Sequence, residues 1–294
     1  MIHTPVLQKE VLEILNPKPN ENFVDCTIGK GGHAKLILEK TFPDGKVLGI
    51  DWDPRQIENL KNTFSDYKKR IILVSNNFAN LKVILKENKF KNISGILVDL
   101  GFSSWHLEEG KRGFSFLKNE PLDMRYSPEN PNTAEKILNY SSEIDIEKIL
   151  RECGEEQFSE KIAKEIIEIR RVKPIKSTFQ LVEIIKRATP AWYQHRKIHF
   201  ATKTFQAIRI AVNDELNNLK KFLPASIEVL EPKGKLAIIS FHSLEDKIIK
   251  NFLEENGKNG LIKILTKKPI QPAYCEVARN NRARSAKLRA AEKI

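Results

Sequence analysis

Short apolar runs alternate with amphipathic runs through the first hundred residues. Asn22–Thr27 (NFVDCT) predicts a strand, a glycine-rich turn follows, and Ala34–Leu38 opens a helix pattern. Lys46–Ile50 predicts a second strand ending at Asp51. Pro54 suits the first turn of a helix, and Gln56–Phe64 carries apolar residues at helical spacing. Ile71–Val74 predicts a third strand, Phe78–Leu85 a helix, and Ile93–Leu100 (ISGILVDL) a fourth strand. Strands and helices alternating over short connections predict a parallel sheet covered on both faces.

The rhythm changes after Ser104. Residues 105–203 hold long helical patterns, among them Asp145–Cys153, Ser159–Arg171 and Thr178–Ala188, and no convincing strand. The alternation then returns. Phe205–Leu216 and Ala225–Leu230 read as two helices, Lys233-Gly234 as a turn, and Lys235–Phe241 (KLAIISF) as a fifth strand. A helix over Leu244–Leu253 and a sixth strand over Ile262–Thr266 follow, with a seventh strand placed within Ser285–Arg289. The expected fold is α/β, a doubly wound, mostly parallel sheet with an inserted all-helical domain. Residues 1–104 and 204–294 are assigned to the sheet domain and 105–203 to the insert.

Composition narrows the function classes. Among 294 residues, 40% are hydrophobic and 30% charged, which supplies a core and excludes a disordered chain. No run approaches the roughly 20 apolar residues of a membrane span. The N-terminal segment lacks the basic start, apolar run and cleavage site of a secretory signal. Cys26, Cys153 and Cys275 are odd in number and widely spaced, so neither a disulfide framework nor a zinc cluster is expected. These features predict a reduced, cytoplasmic location, no metal and no membrane partner.

The net charge of +12 is uneven. Residues 105–159 carry net −5, whereas 160–203 and 204–294 each carry net +7. Within these blocks, Arg170, Arg171 and Lys173 form one cluster and Arg279–Arg289 another. Clustered cations of this kind are either solvated faces or the footprint of a polyanion, and their sign and density favour nucleic acid.

Candidate chemistry gathers at the predicted sheet edge. Asp25-Cys26-Thr27-Ile28-Gly29-Lys30-Gly31-Gly32-His33 follows a strand and precedes a helix. Glycines let backbone approach a ligand closely, and a helix N-terminus offers free N–H groups. Asp51 ends the next strand, 22 residues after Gly29. That offset suits a carboxylate accepting from ribose hydroxyls. The pattern serves NAD and S-adenosylmethionine alike. Asp99-Leu100-Gly101-Phe102-Ser103-Ser104 and Ser240-Phe241-His242-Ser243 end strands four and five at the same edge. An acid, an aromatic and a histidine there suit a planar base beside a methyl donor. His242 is a candidate base contact or proton acceptor; its alternative is a structural histidine capping the next helix.

At these residues the chain resembles the bacterial ribosomal RNA small subunit methyltransferase H family. The matching blocks are His3-x-Pro5-Val6-Leu7, Gly29-x-Gly31-Gly32-His33, Asp99-Leu100-Gly101-x-Ser103-Ser104 and Arg112-Gly113-Phe114-Ser115-Phe116. Pro121-Leu122-Asp123-Met124-Arg125, Ile208–Leu216, Ser240–Asp246 and Asn281–Arg289 match as well. The blocks run nearly end to end in the expected order. The resemblance implies a Rossmann-like S-adenosylmethionine-dependent methyltransferase that modifies N4 of one cytidine in the decoding region of small-subunit (16S) ribosomal RNA. The assembled or nearly assembled subunit is then the substrate, and monomer and homodimer both stay open. By position, the resemblance assigns cofactor contacts to Gly31, Gly32, His33, Asp51, Phe78, Asp99 and His106. Asp99 and His242 are the expected catalytic residues. The family usually has Gln where this chain has His106, and commonly Pro at the Trp105 position. Two other classes compete: an NAD-dependent enzyme on the same sheet, and an RNA-binding assembly factor without turnover.

Overall fold

The computed structural model describes residues 5–101 and 111–294, apart from the side chain of Arg282. Seven strands form one sheet: β1 (Asn22–Asp25), β2 (Val47–Asp51), β3 (Ile71–Ser75), β4 (Ile93–Asp99), β5 (Leu230–Ser240), β6 (Ile262–Ile264) and β7 (Lys287–Lys293). Their order is β3-β2-β1-β4-β5-β7-β6. β1 to β5 pair in parallel, and β7 runs antiparallel to both β5 and β6. This is the expected doubly wound, Rossmann-like sheet. The order reverses between β1 and β4, so their carboxyl ends, Asp25 and Asp99, flank the switch point where such sheets bind ligands.

Strand periodicity explains the layering. Leu48 and Ile50 of β2 enter one core cluster, while Val47 enters another. In β4, Ile96 and Val98 enter the first cluster and Leu97 the second. Alternate residues of a strand face opposite sides, so two apolar layers form from one continuous run. Helices α1 (Gln8–Leu15), α2 (Gly32–Lys40) and α3 (Pro54–Thr63) cover one face through Val11, Leu15, Ile37, Leu38, Ile57 and Leu60. α4 (Leu81–Glu87) covers the other through Leu81, Ile84 and Leu85.

Two sequence expectations change here. Residues 215–229 form a single helix, Glu215–Val229, with Pro224 inside it. An internal proline costs roughly 3 kcal/mol. Burial of Leu219, Phe222, Leu223 and Ile227 on the sheet offsets that cost, which local propensity cannot register. The Lys233-Gly234 turn is instead an irregularity within β5. Lys233 has φ 66° and the β4–β5 register shifts there.

The chain divides into two compact units, residues 1–101 with 216–294, and residues 102–215. The boundary expected at 203/204 therefore falls at 215/216. The reason is the helix Thr202–Asn213, whose Phe205, Ile208 and Val212 join the helical unit's own core. That core also takes Ile146, Leu150, Ile162, Ile166, Leu181 and Ile185. Polar motif residues brace the unit internally. Arg125 donates to both Asp123 oxygens at 2.9 and 2.8 Å. Asn213, fully buried, accepts from the Tyr126 N–H and donates to the Met124 carbonyl. Arg209 forms a bidentate pair with Glu215.

Some basic residues expected to meet RNA are committed within the fold. Arg170 donates to the Leu138 carbonyl at 2.8 Å. Arg289, 7% exposed, and Lys287 both pair with Asp246. Their neighbours Arg171, Lys173, Arg279 and Arg284 are exposed. No helix among the described residues is long and apolar enough to cross a membrane.

Candidate active site

Three acids stand at the carboxyl ends of adjacent strands: Asp25 on β1, Asp51 on β2 and Asp99 on β4. The parallel register brings them to one edge. Asp25 pairs with Gly49 and Leu97, two residues short of Asp51 and Asp99 respectively. Desolvation pushes the Asp99 carboxyl up to about 8, and the charges of Asp25 and Glu245 add to it. Desolvation also lifts Asp25 to about 7, with a contribution from Asp51 and an opposing hydrogen bond from Thr27. Asp51 rises to about 6, again through desolvation, against backbone hydrogen bonds led by Asp53 and Gly29. Each effect has the sign expected for anions crowded in a low-dielectric edge.

The glycine loop is tied to this edge. The Gly29 N–H donates to Asp51 Oδ2 at 3.1 Å, and the Asp53 N–H donates to Oδ1 at 2.9 Å. The 22-residue offset is thus a direct hydrogen bond as well as a spacing. Gly29 has φ 51°, and among the described residues a Cβ there meets only the Thr27 carbonyl, at 3.7 Å, so this side of the loop is open to them. Gly31 answers a different need. Its φ is 78°, and a Cβ would lie 2.5 Å from the Phe64 ring. A Cβ on Gly32 would crowd Pro5 in the same way. These two glycines let the loop pack, with His33 buried in the first turn of α2.

Phe78 sits in the 3-10 turn after β3 and makes an edge contact with Phe222, ring centroids 5.3 Å apart. Its ring is half-buried against the first core cluster, shortly after the carboxyl end of β3. Phe241 is partly buried against the second core cluster, so this aromatic packs with the core. His106, like His3 and Phe102–Trp105, lies outside the described residues.

His242 caps the helix Ser243–Lys258. The Glu245 N–H donates to its Nδ1 at 3.4 Å, while the Glu245 carboxylate accepts from the N–H groups of Phe241 and His242. An accepting Nδ1 leaves the proton of the neutral ring on Nε2. His242 Nε2 lies 3.1 Å from Glu245 Oε1, without good hydrogen-bond alignment. The geometry thus makes His242 a helix cap with Nδ1 engaged as an acceptor, which differs from a free proton acceptor.

Sequence reasoning assigned no role to three residues here. Asp25 opens the glycine motif and is 2% exposed. Thr27 accepts the Asp99 N–H at 2.7 Å through Oγ1, joining β4 to the loop. Glu245 is also 2% exposed. Its spacing of three residues from His242 is the capping-box signal that could have found it.

The donor set fits an organic cation bearing ribose hydroxyls, as S-adenosylmethionine does. Asp99 Oδ1 is buried with no hydrogen-bond partner among the described residues. A positive ligand with donors stabilises such an oxygen and relieves the crowding of the three acids. The open side of Gly29 lets that ligand reach the loop.

Comparison with known proteins agrees. The chain is 44% identical to the ribosomal RNA small subunit methyltransferase H of Heliobacterium modesticaldum, over 99% of this chain and 98% of that protein. It is 46% identical to the protein of the same name from Clostridium botulinum, over 99% of each. The Brevibacillus brevis protein of that name is 42% identical over 99% of this chain and 98% of its own length. With the family model matching residues 1–294 on top of this sheet edge, the chain belongs to the MraW methylase family.

Proposed function

We propose that this protein methylates N4 of one cytidine in the decoding region of small-subunit ribosomal RNA, acting on the assembled or nearly assembled subunit. S-adenosylmethionine is the methyl donor. The observation that carries this reading is Asp99 Oδ1 at the switch point, buried with no hydrogen-bond partner among the described residues, in a chain matching its relatives end to end. Those relatives are named for small-subunit ribosomal RNA, which supplies the substrate class. The order of β4 and β5 supports it further, since Asp99 pairs with Ile239 just before Ser240, Phe241 and His242.

When bound, the donor supplies an electrophilic methyl on a cationic sulfur. The chain must do the rest. Cytosine N4 is a weak nucleophile because its lone pair is delocalised into the ring. Its amino group must be held about 3–3.5 Å from the methyl and in line with it. Asp99 supplies an acceptor for an amino hydrogen, which orients the lone pair. Methylation makes the remaining N4 protons acidic, so Asp99, ionised beside the cationic donor, can take one. Asp51 and the Gly29 loop hold the ribose, Phe78 borders the adenine side, and Gly31, Gly32 and His33 set the loop in place. Because Glu245 and His242 fix the turn after β5, His242 acts in this reading by positioning that turn. A base buried in RNA structure must leave its stack to reach such a site.

Two substitutions test the parts. Asp51→Ala is expected to weaken S-adenosylmethionine binding by about 1.5–3 kcal/mol, roughly 10- to 150-fold. Calorimetry reads this directly, and unchanged affinity removes Asp51 from the ribose. His242→Ala is expected to lose about 1 kcal/mol of stability as a cap is removed. His242→Asn keeps a capping side chain and is expected to retain both stability and single-turnover rate. A stable Asn variant slowed a hundredfold would return the imidazole to the chemistry.

The whole reading is tested by label transfer. Radiolabelled donor is incubated with small subunits from cells lacking the modification. The protein is expected to label small-subunit RNA and leave large subunits unlabelled. No transfer to small subunits contradicts the proposal.

A further inference from the structure

We propose that Trp192 is a stacking platform for an unpaired RNA base, with Arg196, Lys197 and Lys161 placed to hold the flanking phosphates. This rests on the reading of RNA as the substrate and assigns it a binding surface on the helical unit. Trp192 is 60% exposed on the short helix Ala191–Gln194. Other large side chains of this chain are as exposed, among them Phe42 and Tyr140, so the case for Trp192 rests on its mounting and on the cations around it.

The platform is rigidly mounted. Tyr193, next in sequence, is 3% exposed, and its hydroxyl donates to the Glu156 carboxylate, with both oxygens at 2.9 Å. Glu156, itself 2% exposed, also accepts the Phe158 N–H. The three rings form one cluster: Phe158 and Trp192 centroids lie 5.9 Å apart, Phe158 and Tyr193 4.9 Å, and Trp192 and Tyr193 5.8 Å. One ring of the cluster is thus anchored by a buried hydrogen bond while another is presented outward. A surface fixed in this way loses little entropy on binding.

Cations surround the rings. The Arg196 guanidinium lies 5.1 Å from the Tyr193 centroid, and the Lys161 ammonium 5.9 Å from the Phe158 centroid. Residues 184–203 include Lys186, Arg187, Arg196, Lys197 and Lys203 and no acidic residue. Arg196, Lys197, Lys186 and Arg187 are all exposed. Exposed aromatic faces interleaved with cations are how proteins hold single strands, since every base offers a π face and every linkage a negative charge. A protein partner with an acidic apolar patch is the competing occupant. The density of exposed cations beside a single ring favours RNA.

The test measures binding of the full-length protein to a short, unstructured, fluorescein-labelled oligouridylate by anisotropy across a salt series. Trp192→Leu keeps apolar packing against Phe158 and Tyr193 but removes the stacking face, and Trp192→Phe keeps a smaller one. Trp192→Leu is expected to weaken binding on the order of 5- to 150-fold with the salt slope unchanged, the range seen for loss of base stacking. Trp192→Phe is expected to recover most of it. Replacing Arg196 and Lys197 by Ala is expected to lower the salt slope by about 0.7 for each phosphate no longer held. Wild-type oligonucleotide affinity in a folded Trp192→Leu protein overturns the proposal. So does a variant that binds the oligonucleotide normally yet no longer associates with small subunits, which assigns the ring to a protein partner. Methyl transfer separates the two readings. A wild-type protein that labels no small subunit fails the functional reading, whereas normal labelling and normal RNA affinity in Trp192→Leu fail only this one.

Discussion

Asp99→Asn is expected to lower single-turnover methyl transfer by two to three orders of magnitude and to weaken S-adenosylmethionine binding. The substitution keeps shape and hydrogen-bonding capacity but removes the charge. In the cofactor-free protein that charge is the least comfortable at the edge, because its Oδ1 is buried without a partner among the described residues. A cation placed there without its carboxylate is a buried, uncompensated charge. Removing one member of such a pair costs about 3–5 kcal/mol. The same substitution is expected to stabilise the cofactor-free fold at alkaline pH, since a desolvated anion is no longer required. Rapid-quench transfer rates, calorimetry and thermal unfolding read the three effects. A variant with normal rate and affinity removes Asp99 from both the cofactor site and the chemistry.

The second large effect is a pH dependence with a definite sign. An unfolded aspartate titrates near 3.9, whereas burial holds Asp51 at about 6, Asp25 at about 7 and Asp99 at about 8. The folded, cofactor-free protein therefore binds more protons than the unfolded chain across this interval. Its stability falls as pH rises from about 4 to about 8, by on the order of 1 kcal/mol per pH unit for each carboxyl still titrating. A cationic ligand favours the ionised carboxylates. Binding then releases protons, and affinity rises with pH until Asp99 is ionised in the free protein. The Tm of the free protein is expected to fall between pH 6 and 8, while the increase given by S-adenosylmethionine grows. S-adenosylhomocysteine, lacking the sulfonium charge, is expected to show a weaker dependence. A cofactor-induced shift that is flat across this window contradicts the account of the edge.

The sheet was legible because its strands are short apolar runs bounded by glycine, proline and acid. The first six predicted strands overlap the observed ones, and β2 ends at Asp51 as read; the seventh, expected within Ser285–Arg289, lies at Lys287–Lys293. The helix boundary at residue 215 was not legible. Thr202–Asn213 is amphipathic, and periodicity alone does not say which core its apolar face joins. The single helix Glu215–Val229 was not legible for the opposite reason, since burial of its apolar face outweighs the local cost of Pro224. At the site, Asp51 and Asp99 were visible as acids ending strands. Asp25 was not, because its importance comes from what the parallel register places beside it. His242 was visible both as a candidate proton acceptor and as a cap of the next helix, and the structure has the cap, which Glu245 at the third following position completes. The basic clusters were visible as charge, but charge does not reveal partners. Arg170 and Arg289 are held by the fold, while Arg171 and Lys173 remain exposed.

The most direct measurement is the identity of the methylated nucleoside. Small subunits from cells lacking the modification are incubated with the protein and labelled S-adenosylmethionine, their RNA is digested to nucleosides, and the products are separated and identified by mass spectrometry. The account predicts label in N4-methylcytidine alone, from one position in the decoding region, and its near-complete loss with Asp99→Asn. Label in another nucleoside, or on a different atom of cytidine, would contradict it.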